Sequence, residues 1–418
     1  MEKLNSTEIL KNNKPISPTF CILPWLHMAT RTWGNVTPCC VGEPLKDNLN
    51  ETTFTKAWNA QSIQNLRKAM LEGKKSYACK RCYEEEKVHI ASHRVRSNKY
   101  WKDYYSFDKL IKQTDQTGSF NGKAIYLDLR LGNKCNLECT MCGPQETIRW
   151  ESLSDKIQKQ AKTFVLKKYI KNHQNFMETA PSKLWYEREE FKQDLYSQIP
   201  FLKRVTIAGG EPLLIKEHHS FLEECINKKE AHHISLHYHT NGTVLNTELF
   251  DKWKHFESVI VFISLDDIGE RNRYIRYPCS WKRIENNLEM IDKQSPKNVH
   301  PMILCTIQIK NIFYFDEFLS YLTEKRFNKV HAYYDDLIHT EVVHHPYFLS
   351  CQVLPKNVKH IISQKFEDIY KRFPTKTNRF KTIVNFMNGE DRSDLLYVFK
   401  DYIQALDKAR GTDFQKTF

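Results

Sequence analysis

Leu131–Pro144 reads LGNKCNLECTMCGP, and its three cysteines, Cys135, Cys139 and Cys142, stand in a C-x3-C-x2-C array. The array directly follows a strand-like run, Ala124–Leu131, which places it on a loop at the end of a strand. Three thiolates so close on one loop can hold three irons of a 4Fe-4S cube and leave the fourth iron open to an outside ligand. A structural zinc site normally takes four protein ligands. No second C-x2-C or histidine pair follows Cys142 at short range to complete one. The open iron is where chemistry would take place.

Downstream of this loop the chain alternates strand and helix, the pattern of a parallel sheet with right-handed crossovers. Strands are expected at 124–131, 204–208, 234–240, 259–265, 302–309 and 330–334. Helices are expected after Cys142 and near 217–228, 246–256, 281–293 and 315–326. Six strand–helix units predict an α/β fold, a partial (β/α)6 TIM-like barrel over residues 122–340 with its site at the C-terminal strand ends. Residues 152–200 are too long for one connection and read as a helical insertion placed to cover that site. Residues 341–418, with helices near 355–373 and 393–409, form a helical C-terminal region expected to cap the barrel or shape its cavity.

The motifs fall at the strand ends. Gly209-Gly210-Glu211-Pro212 lets backbone approach a ligand closely and offers a carboxylate to an ammonium group. Thr240-Asn241-Gly242 ends the third strand. Ser264-Leu265-Asp266 ends the fourth, followed by Ile275-Arg276; a hydroxyl and a carboxylate suit ribose, and a guanidinium fork suits a carboxylate. Cys225, Cys305 and Cys351 read as buried core thiols. Cys279, close after Arg276, is the one to watch as a hydrogen-atom donor to a substrate radical. The histidines, including His232, His233, His344 and His345, show no metal-ligand spacing.

Upstream, residues 1–19 are polar and read as a flexible arm. Residues 20–88 hold Cys21, the pair Cys39 and Cys40, and Cys79 and Cys82, with a hairpin turn at Trp33–Asn35 and a helix over 53–71. Residues 89–121 read as a linker with a helix. Four thiolates, from Cys21, Cys39 (or Cys40), Cys79 and Cys82, suit either a zinc ribbon or an iron-sulfur cluster.

Composition sets the frame. The 418 residues can bury two or three domains, and 40% apolar residues with 24 Phe argue for a folded chain. Eight of the 12 cysteines sit in two groups, which suits metal ligation in a reducing compartment better than a disulfide framework. No run of about 18 apolar residues and no signal-peptide centre is seen, so a cytoplasmic protein without membrane contact is expected. The net charge of +13 is spread along helices as lysine, and no RNA-binding aromatic pair accompanies it.

The C-x3-C-x2-C loop with its Met-Cys-Gly-Pro ending resembles the cluster loop of the radical S-adenosylmethionine enzymes. Gly209-Gly210-Glu211 is similar to that family's GGE motif. Ser264, Asp266 and Arg276 resemble its S-x-D and following I-R, and Asn241 stands near where it meets the cofactor. The resemblance implies a 4Fe-4S cluster on Cys135, Cys139 and Cys142 whose open iron chelates S-adenosylmethionine, reductive cleavage to a 5'-deoxyadenosyl radical, and hydrogen-atom abstraction. It implies Glu211 on the methionyl ammonium, Arg276 on its carboxylate, and Ser264 and Asp266 on the ribose. A reducing partner such as flavodoxin or ferredoxin is also implied.

The order C-x2-P-W, G-N-V-x-P-C-C, D-N-L, A-W-N with L-R, and C-x2-C-Y-x2-E over residues 20–86 resembles the SPASM or twitch auxiliary-cluster domain. That implies a second 4Fe-4S cluster on Cys21, Cys39, Cys79 and Cys82. Here the domain precedes the radical domain, whereas in the family it usually follows. Relatives with this domain often modify peptides or proteins, so such a substrate ranks first. A sugar, nucleoside or other small metabolite ranks second. From another class comes a zinc-ribbon nucleic-acid-binding protein on an inactive barrel.

Overall fold

The computed structural model describes residues 17–87, 91–182, 184–330 and 338–418. The chain divides into two compact units: Met1–Gly132 with Pro181–Gly209 and Lys216–Leu236, and Asn133–Ala180 with Gly210–Ile215 and His237–Phe418.

In the first unit four strands lie in the order β2-β1-β3-β4. These are β1 (His27–Thr30), β2 (Val36–Thr37), β3 (Tyr126–Arg130) and β4 (Arg204–Ala208). The expected hairpin is present: β1 and β2 pair antiparallel, Ala29 opposite Thr37, around Gly34 at φ +83°. β3 and β4 pair parallel, Leu127 opposite Val205. β1 also pairs parallel with β3, Met28 opposite Leu127, so the cysteine-rich segment lends the sheet a strand that the sequence reading did not anticipate. Four buried residues, His-Met-Ala-Thr, carry no alternation that would mark them as a strand.

The helix expected over 53–71 is broken into Phe54–Ala57 and Gln61–Leu71. The break falls at Ala60, whose backbone is extended at φ −64° and ψ 157°. Beside it the Asn59 side chain accepts from Arg67 Nη1 at 2.8 Å and from the backbone N–H of Phe120 at 3.0 Å. Arg67, fully buried, also donates to Pro24 O and Trp58 O and lies 4.7 Å over the Trp58 ring. Of the expected arm, residues 1–16 lie outside the described residues. Ser17 and Thr19 are buried, with the Ser17 hydroxyl donating to Met70 O.

The second unit contains most of β5 (Ser235–Thr240), then β6 (Ser258–Ser264), β7 (Val299–Ile307) and β8 (His339–Val342), in that order. β6, β7 and β8 are parallel, with Ser264 opposite Leu304 and Leu304 opposite His339. Helices Thr247–Trp253, Trp281–Gln294 and Phe315–Lys325 separate the strands. This strand–helix alternation is the expected α/β pattern. The expected sixth strand falls, beyond Val330, outside the described residues; among the described residues the last parallel strand is β8.

Helices Arg149–Gln160 and Phe164–Thr179 pack through Trp150, Leu153, Ile157, Leu166 and Ile170 onto Val398, Tyr402 and Leu406 of the helix Leu396–Arg410. Asp401 secures the joint by accepting from the backbone N–H of Lys162 and Thr163 and from the Thr163 hydroxyl at 2.8 Å. No helix among the described residues is long and apolar enough to cross a membrane.

Candidate functional site

Within the second unit the three-cysteine loop is tied at its base. Asn133 Nδ2 donates to Pro144 O at 2.8 Å, Ile148 N to Asn133 O at 2.9 Å, and the Thr147 hydroxyl to Leu137 O at 2.9 Å. Leu137, Cys139 and Cys279 form a small apolar base on which Cys135, Met141 and Cys142 pack. Burial pushes the Cys135 thiol up to about 12. A hydrogen bond from Cys142 draws Cys139 down to about 7 and leaves Cys142 raised. Thiols crowded so that their joint ionisation is opposed are the donor set that a bound cationic cluster turns to thiolate.

Glycine is required at two consecutive positions, Gly209 and Gly210. Gly209 lies at φ +128°. A Cβ on Gly210 would stand 2.3 Å from Lys134 O and 2.7 Å from Lys134 C. Only the bare backbone lets Glu211 N donate to that same carbonyl at 2.8 Å. Gly210→Ala is therefore expected to displace the cluster loop. Anaerobically reconstituted protein should lose about half its iron and its S-adenosylmethionine cleavage, as iron analysis and chromatography of 5'-deoxyadenosine will show.

Glu211 is fully buried. Its Oε1 accepts from Leu213 N at 3.2 Å and from the Thr240 hydroxyl at 2.8 Å, and its Oε2 from Asn241 N at 2.7 Å. Burial raises its pKa to about 7. Asn241 continues the chain of contacts: its Nδ2 donates to Asn136 Oδ1 at 2.9 Å and lies 3.8 Å from Cys135 Sγ. Its Oδ1 accepts from the Thr243 hydroxyl at 2.6 Å, which in turn accepts from Asn136 Nδ2 at 2.9 Å. Glu211, Asn241 and Cys135 are thus joined in one buried network. Asn136, Thr240 and Thr243 belong to it and were missed, although they sit inside the quoted motifs.

Asp266 and Arg276, expected to make separate cofactor contacts, are paired with each other. Arg276 Nη2 donates to Asp266 Oδ1 at 3.1 Å and its Nε lies 2.9 Å from Oδ2. Burial alone would lower the guanidinium's pKa, but Asp266 outweighs it and keeps the group charged. Arg276 Nη1 is directed to Cys139 Sγ at 3.9 Å. Asp266 Oδ1 also accepts from Thr306 N at 2.8 Å. Ser264 ends β6, half-buried. Cys279 accepts from Asn272 Nδ2 at 3.6 Å, and burial pushes its thiol up to about 12, so it packs beside Cys139 as a neutral thiol.

The sequence reading also missed buried polar groups just beyond β7. Gln308 is fully buried and Lys310 is 2% exposed, and neither amide nor ammonium has a hydrogen-bond partner among the described residues. Burial brings Lys310 down to about 7. In a strand-like run such as Thr-Ile-Gln-Ile-Lys nothing marks these two as buried.

The second thiol group lies in the first unit. Cys21, Cys39, Cys79 and Cys82 wall one apolar pocket with Leu23, Pro24, Pro38, Met70 and Ala78. Cys40 is not among the residues lining it; its Sγ is 3.7 Å from His93 Nε2. The motif residues set this arrangement. Leu49 N donates to Gly34 O at 2.8 Å and Glu43 N to Ala78 O at 3.0 Å, while Arg94 pairs with Glu86 and donates to Phe20 O at 2.9 Å. Burial and the nearby Cys82 raise Cys79 to about 12, and burial followed by Cys40 and Cys21 raises Cys39. Among the described residues no three Cys, His, Asp or Glu side chains converge closely enough to hold a single metal ion.

Comparison with known families matches residues 129–307 to the radical SAM superfamily and residues 21–83 to an iron-sulfur cluster-binding domain of the SPASM type. No curated protein matches. Among solved structures the chain is similar to native anSMEcpe with bound AdoMet, at 16% identity and a TM-score of 0.39, covering 60% of this chain and 61% of that one. It therefore spans about three fifths of that protein's length. It is also similar to Streptococcus suis SuiB bound to S-adenosylmethionine, at 12% identity and a TM-score of 0.30, covering 79% and 73%. A third is TYW1 with a lysine-pyruvate adduct bound, at 17% identity and a TM-score of 0.29, covering 58% and 73%.

Proposed function

We propose that this chain, an enzyme belonging to the radical SAM superfamily and carrying an N-terminal iron-sulfur cluster-binding domain, abstracts a hydrogen atom from a peptide or protein. Its cofactors are a 4Fe-4S cluster, S-adenosylmethionine and auxiliary iron-sulfur. The observation that carries the radical reading is that Glu211 and Asn241 reach Cys135 in one buried network while the Asp266-paired Arg276 is directed to Cys139 of the same loop. The peptide class rests on the pairing of the two matched domains in one chain, which the family resemblance associates with such substrates.

When bound, the cluster and S-adenosylmethionine supply reductive cleavage to a 5'-deoxyadenosyl radical. The chain's own residues do the rest of the work. Cys135, Cys139 and Cys142 would hold three irons, while Gly209 and Gly210 let the backbone close in on the cofactor. Glu211, ionised above about pH 7, would receive the methionyl ammonium. Asn241 would orient both Glu211 and Cys135. Ser264 and the Asp266–Arg276 pair would meet the ribose and carboxylate, and the pair's interior charge balance holds Arg276 cationic beside Cys139. Cys21, Cys39, Cys79 and Cys82 would hold the auxiliary cluster, and with four protein ligands its role is electron transfer or shaping of the site. A flavodoxin or ferredoxin in a reducing cytoplasm would supply the electron.

Glu211→Gln should weaken S-adenosylmethionine binding by roughly thirtyfold, the loss of one charge-assisted hydrogen bond of about 2 kcal/mol, with iron content unchanged. Equilibrium binding on reconstituted protein measures this; iron loss at unchanged affinity would mean the residue supports the loop and not the cofactor. For the substrate class, the reduced enzyme is given host extract split into macromolecular and small-molecule fractions. The expected result is 5'-deoxyadenosine formation stimulated by the macromolecular fraction and lost after protease treatment. Stimulation by the small-molecule fraction alone would assign a metabolite instead.

A further inference from the structure

Three consecutive carbonyls of the cluster loop are each held by a side chain from outside the loop's own turn. Arg410 Nη2 donates to Glu138 O, Trp150 Nε1 to Cys139 O at 3.1 Å, and the Tyr402 hydroxyl to Thr140 O at 2.7 Å. On the other edge Glu138 N donates to Tyr277 O and Thr140 N to Ile275 O at 2.8 Å. The backbone around Cys139 is thereby accounted for on both edges, which fixes the direction of its thiol.

Two of the three outside groups, Tyr402 and Arg410, belong to the helix Leu396–Arg410, far from the loop in sequence and outside both matched domains. That helix is pinned twice. Asp401 receives Lys162 and Thr163, and Asp407 accepts from the Tyr274 hydroxyl at 2.9 Å and Thr412 Oγ1 at 2.7 Å. Arg410 has a side chain 1% exposed, with its guanidinium 5.1 Å over the Tyr277 ring and its Nε 3.7 Å from Glu138 Oε2. Glu138 is already paired with Arg149 at 2.9 Å, so its single negative charge is divided between two arginines. Arg410, donating to the carbonyl of the residue that precedes Cys139, thus sets a buried guanidinium beside the loop.

We propose that Tyr402 and Arg410 are positioning residues for the radical cluster: the C-terminal helix clamps the cysteine loop through them, and Arg410 adds a buried positive charge that favours the cluster's reduced form. The inference rests on Cys135, Cys139 and Cys142 being the cluster ligands. Reduction adds one electron to the cluster, and a fixed cation in a low-dielectric surrounding stabilises the more negative state.

The test compares Arg410→Gln, Arg410→Lys and Tyr402→Phe with the parent, all full-length and anaerobically reconstituted. An EPR-monitored redox titration follows the signal that responds to S-adenosylmethionine. In Arg410→Gln the ratio of reduced to oxidised cluster at a fixed potential should fall about tenfold, which is about 59 mV for a one-electron couple. Arg410→Lys should recover most of that loss, and the auxiliary signal should stay in place in both. Tyr402→Phe, which removes one hydroxyl and keeps the ring in the core, should release iron to a chelator several-fold faster. A purely structural role would lower the melting temperature without moving the midpoint. A parent-like midpoint in Arg410→Gln overturns the charge effect. Parent-like iron release in Tyr402→Phe overturns the clamp, and decides alone if the Arg410 variants do not fold. A parent protein that forms no S-adenosylmethionine-responsive cluster overturns the ligand assignment itself, and this inference with it.

Discussion

Replacing Cys135, Cys139 and Cys142 together with alanine will abolish 5'-deoxyadenosine formation from S-adenosylmethionine under dithionite, while leaving the chain folded. The loop is held by Asn133, Thr147 and the main-chain pairing of Thr140 with Ile275, none of which uses a thiol. Alanine in place of Cys139 removes part of the small base formed with Leu137 and Cys279, which costs about 1 kcal/mol, too little to unfold the unit. The lost activity would then report the lost ligands and not a lost fold. Circular dichroism and iron content, read beside product chromatography, check both halves. Cleavage at the parent rate in the triple variant would remove the assignment.

The same triple variant should retain about four irons, and adding Cys79→Ala and Cys82→Ala to it should remove them. Cys21, Cys39, Cys79 and Cys82 line one pocket. Cys79 and Cys82 enter it from one side, on the 3-10 turn Tyr77–Cys79 and the helix Lys80–Lys87, while Cys21 and Cys39 come from the segments beside the hairpin. Losing the paired side leaves two thiols, too few for a cluster. Cys40→Ala in the triple background should leave the iron in place, because Cys40 does not line that pocket and faces His93. One zinc and no labile sulfide in the triple variant after iron and sulfide reconstitution would assign zinc to the auxiliary site.

The three-cysteine loop stood out in the sequence because Cys135, Cys139 and Cys142 are close together on one loop, whereas Cys21, Cys39, Cys79 and Cys82, which line one pocket, are far apart in sequence and were grouped through the family resemblance. The central strands were readable for a similar reason: runs such as Val259–Ile263 are buried on both faces and show it as continuous apolar sequence. What stayed hidden was set by contacts between distant segments. β1 was announced only as one side of the hairpin; that it also pairs with β3, about a hundred residues away, and so joins the sheet, no local pattern announces. The break before Gln61, at the extended Ala60, is flanked by Asn59, whose side chain meets Arg67 and the distant Phe120. Arg276 and Asp266 each suited a ligand when read alone, and only the fold shows that they hold each other. Tyr402 and Arg410 lie on an ordinary amphipathic helix, and the face that meets Glu138 and Thr140 could not be told from core-packing sequence.

The most direct test is the EPR spectrum of the dithionite-reduced, reconstituted protein recorded with and without S-adenosylmethionine. An iron left open by Cys135, Cys139 and Cys142 would take the cofactor as a ligand, so one of two signals should shift on addition while the auxiliary signal does not. Two signals that both ignore excess S-adenosylmethionine, with no 5'-deoxyadenosine formed, would contradict the radical reading.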